Sequence, residues 1–145
     1  MNLKFKVKAL IGVVLISIVI LQGCTTTEDD SPYSKTQTLL DITAIESYYL
    51  IQNNTENPNF IIIDIRTPEE YESGHLADSI IIDYYESTFE KDIDQLDKEK
   101  TYLIYCRTGR RTGLAMDIME DLNFLNVYNM LGGITQWETE GLPII

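Results

Sequence analysis

Residues 106–112 read CRTGRRT, a thiol followed by Arg107, Thr108, Gly109, Arg110, Arg111 and Thr112, in a chain with 11 basic and 23 acidic residues. Cysteine attacks as the thiolate, which is favoured where backbone N–H groups, a helix N-terminus and cations converge. A cradle of inward-facing amides needs positive φ or close approach at some position, and Gly109 is placed to supply it, with Gly113 behind it. The arginines offer forked donors to an anionic substrate. Arginine in the first turn of a helix opposes the helix dipole, so a purely structural role for this cluster is disfavoured. The spacing predicts Cys106 as a nucleophile and residues 107–112 as the loop that holds a small anion against it.

The rest of the chain narrows the choice. With a net charge of −12 the chain is expected to avoid nucleic acid, because phosphate contacts need a positive patch far larger than one loop. Three of the basic residues, Lys4, Lys6 and Lys8, precede ALIGVVLISIVIL, 13 uncharged residues from Ala9 to Leu21. That run suits a signal h-region and falls short of the ~20 residues a spanning helix needs. The LQGC that follows resembles the end of a bacterial lipoprotein signal, which implies cleavage before Cys24 and lipidation of Cys24. The expected organisation is a signal at 1–23, a flexible polar tether at 24–38 and one domain at 39–145, exported and lipid-anchored to a cell-envelope membrane. The chain has two cysteines, so with Cys24 lipidated Cys106 has no disulfide partner and is expected as a free thiol.

Strands and helices must then place the loop. FIIIDI (60–65), SIIID (79–83), TYLIYC (101–106) and NVYNM (126–130) are β-branched and aromatic runs with little polar alternation, as in strands covered on both faces. Helical spacing links Ile42, Ile45 and Tyr49, then Phe89, Ile93 and Leu96, then Leu114, Ala115, Ile118, Met119 and Leu122. Alternating strands and helices predict an α/β domain with a parallel sheet, and Cys106 falls at the carboxyl end of a strand, where such folds bind ligands. In TPEE, Thr67 is the predicted N-cap, Pro68 the first helical residue and Glu70 the third, closing a capping box. Asp64 and Arg66 are read as structural partners of each other or of nearby backbone. His75, the one histidine, has no ligand-spaced neighbours and is read as a hydrogen-bonded structural residue, so no metal or cofactor is called for. Trp137 is assigned to the core.

Together these stretches resemble a single-domain rhodanese. CRTGRRT is similar to that family's active-site loop, DIRTPEEYESGHLADSI (64–80) to its first signature and GGITQWETEGLPI (132–144) to its closing segment. The resemblance implies a five-stranded, mostly parallel sheet flanked by helices on both faces. It further implies a persulfide on Cys106, and sulfur transfer from thiosulfate or a similar anion to cyanide, a thiol or a protein thiol. A sulfur carrier serving a dedicated protein partner is the alternative. Phosphatases on related folds separate Cys from Arg by five residues, whereas four lie between Cys106 and Arg111.

Overall fold

The computed structural model describes residues 36–145. The expected signal, Cys24 and the tether as far as residue 35 lie outside the described residues. Ten elements follow in order: β1 (Thr38–Ile42), α1 (Ala44–Gln52), β2 (Phe60–Asp64), α2 (Pro68–Glu72), β3 (Ser79–Ile81), α3 (Phe89–Asp94), β4 (Thr101–Tyr105), α4 (Arg110–Asp121), β5 (Asn126–Met130) and α5 (Gly133–Thr139). The strands form one sheet in the order β1-β5-β4-β2-β3, and every neighbouring pair is parallel. β4 is the middle strand, so Cys106 leaves the sheet at its centre. Asp64 pairs with Tyr105 in register, which brings Asp64, Ile65 and Arg66 beside the thiol.

The apolar runs are uniform because both sheet faces are covered. On one face Ile63, Ile65, Ile104 and Val127 pack with Phe89 and Ile93 of α3 and Ala115 and Met119 of α4. On the other, Ile62, Leu103, Tyr105 and Met130 pack with Ala44 of α1 and Ile134 and Trp137 of α5. Adjacent Ile62 and Ile63 thus serve opposite cores, and burying each stabilises the fold by about 2 kcal/mol, an upper figure for an extended unfolded chain.

Two readings of the periodicity are corrected. The four apolar runs are strands, but the fifth strand, β1, starts at Thr38, the last residue assigned to the tether, and includes Ile42, which had been placed on a helix. The Ile42, Ile45 and Tyr49 stripe is not the buried face of α1. Ile45 and Tyr49 are exposed, while Ala44 and Ser47 are buried and Tyr48 and Ile51 pack beside the core. The true stripe runs through small residues because α1 lies close to α5 and the sheet. In α4 the stripe holds, except that Leu114 is exposed beside the cysteine loop.

Candidate active site

β4 ends at Tyr105, and its next residue is the candidate nucleophile. Cys106 is a free thiol at the floor of the loop, 1% exposed. Gly109 turns the chain with φ of 86° and donates its N–H to Cys106 Sγ at 3.2 Å. A Cβ at Gly109 would stand 3.2 Å from the backbone nitrogen of Gly132. Thr112, fully buried, donates its hydroxyl to the Gly109 carbonyl at 3.0 Å and holds its Oγ1 3.8 Å from Sγ. Gly113 is different: a Cβ there meets nothing within 4 Å, so the expectation that it shapes the cradle is not met.

Burial acts to raise the Cys106 pKa. The backbone amides of Thr112 and Thr108, the Thr112 hydroxyl and the Arg111 amide outweigh it and hold the thiol below its ordinary value. The charge of Arg111 also couples to the sulfur, behind these dipoles. Inward-facing N–H and O–H groups therefore do most to keep the thiol ionised, and the guanidinium charge adds to them. A depressed thiol pKa stabilises the folded state above the ordinary thiol range, near ~8.5, and that contribution fades as pH falls through the lower folded value.

The arginines divide. Arg111 forms a two-pronged pair with Glu70, NH1 to Oε2 at 2.7 Å and NH2 to Oε1 at 2.8 Å, and its guanidinium lies over the Tyr85 ring at 5.4 Å. Glu70 also closes the predicted capping box of α2, with the Thr67 N–H on Oε2 at 3.1 Å. One carboxylate thus ties the start of α2 to the start of α4. Capping explained Glu70 within its own helix and so concealed its second partner, 41 residues away. The signal in the sequence was Arg111 itself, a cation in an unfavourable first turn that called for a nearby anion. Arg107 and Arg110 are exposed and form no ion pair with another described residue. They line a cavity of about 340 Å³ together with Thr108, Arg111, Glu70, Tyr84, Tyr85 and Leu114.

Arg111 draws the Glu70 carboxyl down in pKa against burial. The pair's contribution is therefore full above the ordinary carboxylate range and lost as pH falls through the lowered folded value. Glu70→Ala should cost about 2 kcal/mol, since it strands a guanidinium whose side chain is 11% exposed. It should also slow iodoacetamide alkylation of Cys106 at neutral pH. Unchanged melting temperature and alkylation rate would show that the pair positions nothing.

The remaining predicted residues are tied into the surrounding fold. Asp64 accepts from Arg66 Nε at 2.9 Å and NH2 at 2.7 Å, and Arg66 also donates to the Gly74 carbonyl at 2.7 Å. His75 stacks on Tyr71 at 3.7 Å, its Nδ1 is 3.0 Å from the Tyr71 carbonyl, and its backbone exchanges two hydrogen bonds with Ile145. Trp137 is buried and donates its indole N–H to the Pro143 carbonyl at 3.0 Å. Sequence reasoning gave GG at 132–133 no role in the site. Gly133, with φ of 57°, lies against the loop so closely that a Cβ would be 2.3 Å from the Cys106 carbonyl oxygen. The next two amides, of Ile134 and Thr135, donate to the Cys106 and Arg107 carbonyls at 2.9 and 3.1 Å.

A buried thiol in an amide cradle, at the end of the central strand of a five-stranded parallel α/β sheet, is the arrangement of a cysteine-dependent group-transfer domain. The rhodanese-like domain model matches residues 47–140, and the chain belongs to that family. A sulfurtransferase of Allochromatium vinosum is 29% identical over 104 residues, covering 72% of this chain and 95% of its own. A rhodanese-related protein of Thermoplasma volcanium superposes with a TM-score of 0.60 at 28% identity, covering 72% of this chain and 96% of its own. The tRNA uridine(34) hydroxylase of Yersinia pestis is 33% identical over 97 residues, 61% of this chain but only 27% of the hydroxylase. Family and relatives support a sulfurtransferase-like function in general.

Proposed function

We propose that the chain moves sulfane sulfur from thiosulfate or a similar anion to a thiophilic acceptor through a persulfide on Cys106. The observation that carries this is the buried Cys106 sulfur receiving the Gly109 N–H at 3.2 Å, beneath two arginines with no ion-pair partner among the described residues. The thiolate attacks the outer sulfur of thiosulfate, the S–S bond breaks and sulfite leaves with the electron pair. The persulfide anion then occupies the space above the loop, where the N–H groups stabilise it as they did the thiolate. Attack on its outer sulfur by cyanide or a thiolate forms the product and returns Cys106 as thiolate. The narrow loop, with four residues between Cys106 and Arg111, favours a single bound sulfur over a tetrahedral phosphate ester.

In this reading Arg107 and Arg110 hold the donor anion. Arg107→Ala and Arg110→Ala should each raise KM for thiosulfate about tenfold with a smaller change in kcat. Unchanged KM in both would leave donor binding to the backbone amides.

The same proposal places the domain in the cell envelope, held through lipid on Cys24. Cys24→Ser should abolish labelling of the chain by a radioactive fatty acid and release it from membranes. A wild-type chain that takes up no label would defeat the lipid anchor.

A further inference from the structure

Thiosulfate has five heavy atoms, and the cavity above the cysteine loop is about 340 Å³, the size of an organic ligand site. Its walls are of two kinds. Arg107 and Arg110 bring positive charge with no ion-pair partner among the described residues, while Tyr85 and Leu114 line the same space with apolar surface, 70% and 49% exposed. An inorganic anion has no use for the second wall. Neither residue belongs to a core cluster, and the Tyr85 ring meets Tyr84 edge-on and the Arg111 guanidinium. Leu114 stands out from the stripe of α4 whose other members face the sheet. A neighbouring cavity of about 370 Å³ shares Arg107 and Glu70 and adds Arg66, Ile134 and Glu138; it has no aromatic surface, and its two arginines face two carboxylates, so it suits the same ligand less well.

We infer that the second half of the reaction is built for a small organic thiol bearing a carboxylate, its acid on Arg107 and Arg110 and its hydrocarbon body between Tyr85 and Leu114. This rests on the sulfurtransferase reading and names its acceptor class. The step balances without a further reagent. The acceptor thiolate attacks the outer sulfur of the Cys106 persulfide, a new S–S bond forms and the old one breaks. The acceptor leaves as its own persulfide anion, the charge carried by the transferred sulfur leaving with it, and the electron pair of the broken bond stays on Cys106 as thiolate.

The test loads the full chain with sulfur from thiosulfate and measures discharge by four acceptors. These are 4-(mercaptomethyl)benzoate, with acid and ring; thioglycolate, with acid alone; 2-mercaptoethanol, with neither; and cyanide. The expected order of kcat/KM places 4-(mercaptomethyl)benzoate about tenfold above thioglycolate and thioglycolate above 2-mercaptoethanol, tenfold matching the partial burial of one ring. Tyr85→Ala combined with Leu114→Ala should erase the advantage of the ring, and Arg110→Ala that of the acid, each read as a ratio to cyanide. Both apolar residues are exposed, so the double variant should fold. Equal rates for the three thiols, or a ring advantage that survives the double variant, would overturn the inference while cyanide discharge leaves the sulfurtransferase reading standing. Failure to load sulfur at all would overturn both.

Discussion

Cys106→Ser should lose all sulfur loading and keep its fold. The substitution exchanges sulfur for oxygen in a space already bounded by the Gly109 amide and the Thr112 hydroxyl, so packing changes little. Chemistry changes completely, because a serine hydroxyl has no base within the loop to ionise it and cannot form a persulfide. The same protein offers a control in its wild-type form. With burial overcome by hydrogen bonds from the loop, alkylation of Cys106 should persist at pH values below the ordinary thiol range of about 8.5. Thr112→Val should move that profile upward, since it deletes a hydroxyl and keeps the volume. Circular dichroism and melting curves matching the wild type, with no loading, are the expected results for the serine variant. Sulfur loading that persists in it would place the chemistry elsewhere.

Gly133→Ala is the change expected to do most damage without touching a reacting atom. Its φ of 57° already disfavours a side chain, and a Cβ would come within 2.3 Å of the Cys106 carbonyl oxygen and 2.6 Å of the Arg107 carbonyl carbon. Both contacts are backbone, so no rotamer change relieves them. Either the cysteine loop or the start of α5 must move, breaking the hydrogen bonds from the Ile134 and Thr135 amides. Steric strain with two lost bonds in a buried setting amounts to about 3–5 kcal/mol, a large share of the stability of a domain this size. The expected result is a melting temperature lowered by more than 10 °C, by roughly 4–8 °C per kcal/mol, together with loss of activity. Gly113→Ala is the matched control, since a Cβ there meets nothing. Equal stability for the two variants would contradict the clamp.

The contrast between these glycines shows what was legible in the sequence and what was not. The cysteine loop, the α2 capping box and four of five strands could be read because each is a local matter of spacing and residue type. β1 could not, since it is an edge strand with Leu40 and Asp41 facing out, and no run of apolar residues marks it. The buried face of α1 was hidden because its buried residues are Ala44 and Ser47, and small residues carry little hydrophobic signal. Within the site, Cys106, Gly109 and Thr112 come together as spacing suggested. The bond from Arg111 to Glu70 and the press of Gly133 on the loop join segments far apart in the chain, and only folding brings them into contact. Arg107 and Arg110, which have no ion-pair partner among the described residues, are indistinguishable from Arg111 in the sequence without that contact.

Sulfur is proposed to pass through Cys106, and mass spectrometry of the intact chain measures this directly. After incubation with thiosulfate and removal of excess donor, the wild-type protein should gain the mass of one sulfur atom, located by digestion to the peptide containing Cys106. It should lose that mass on addition of cyanide. A chain that gains no sulfur, or that hydrolyses an aryl phosphate faster than it forms the persulfide, would contradict the account.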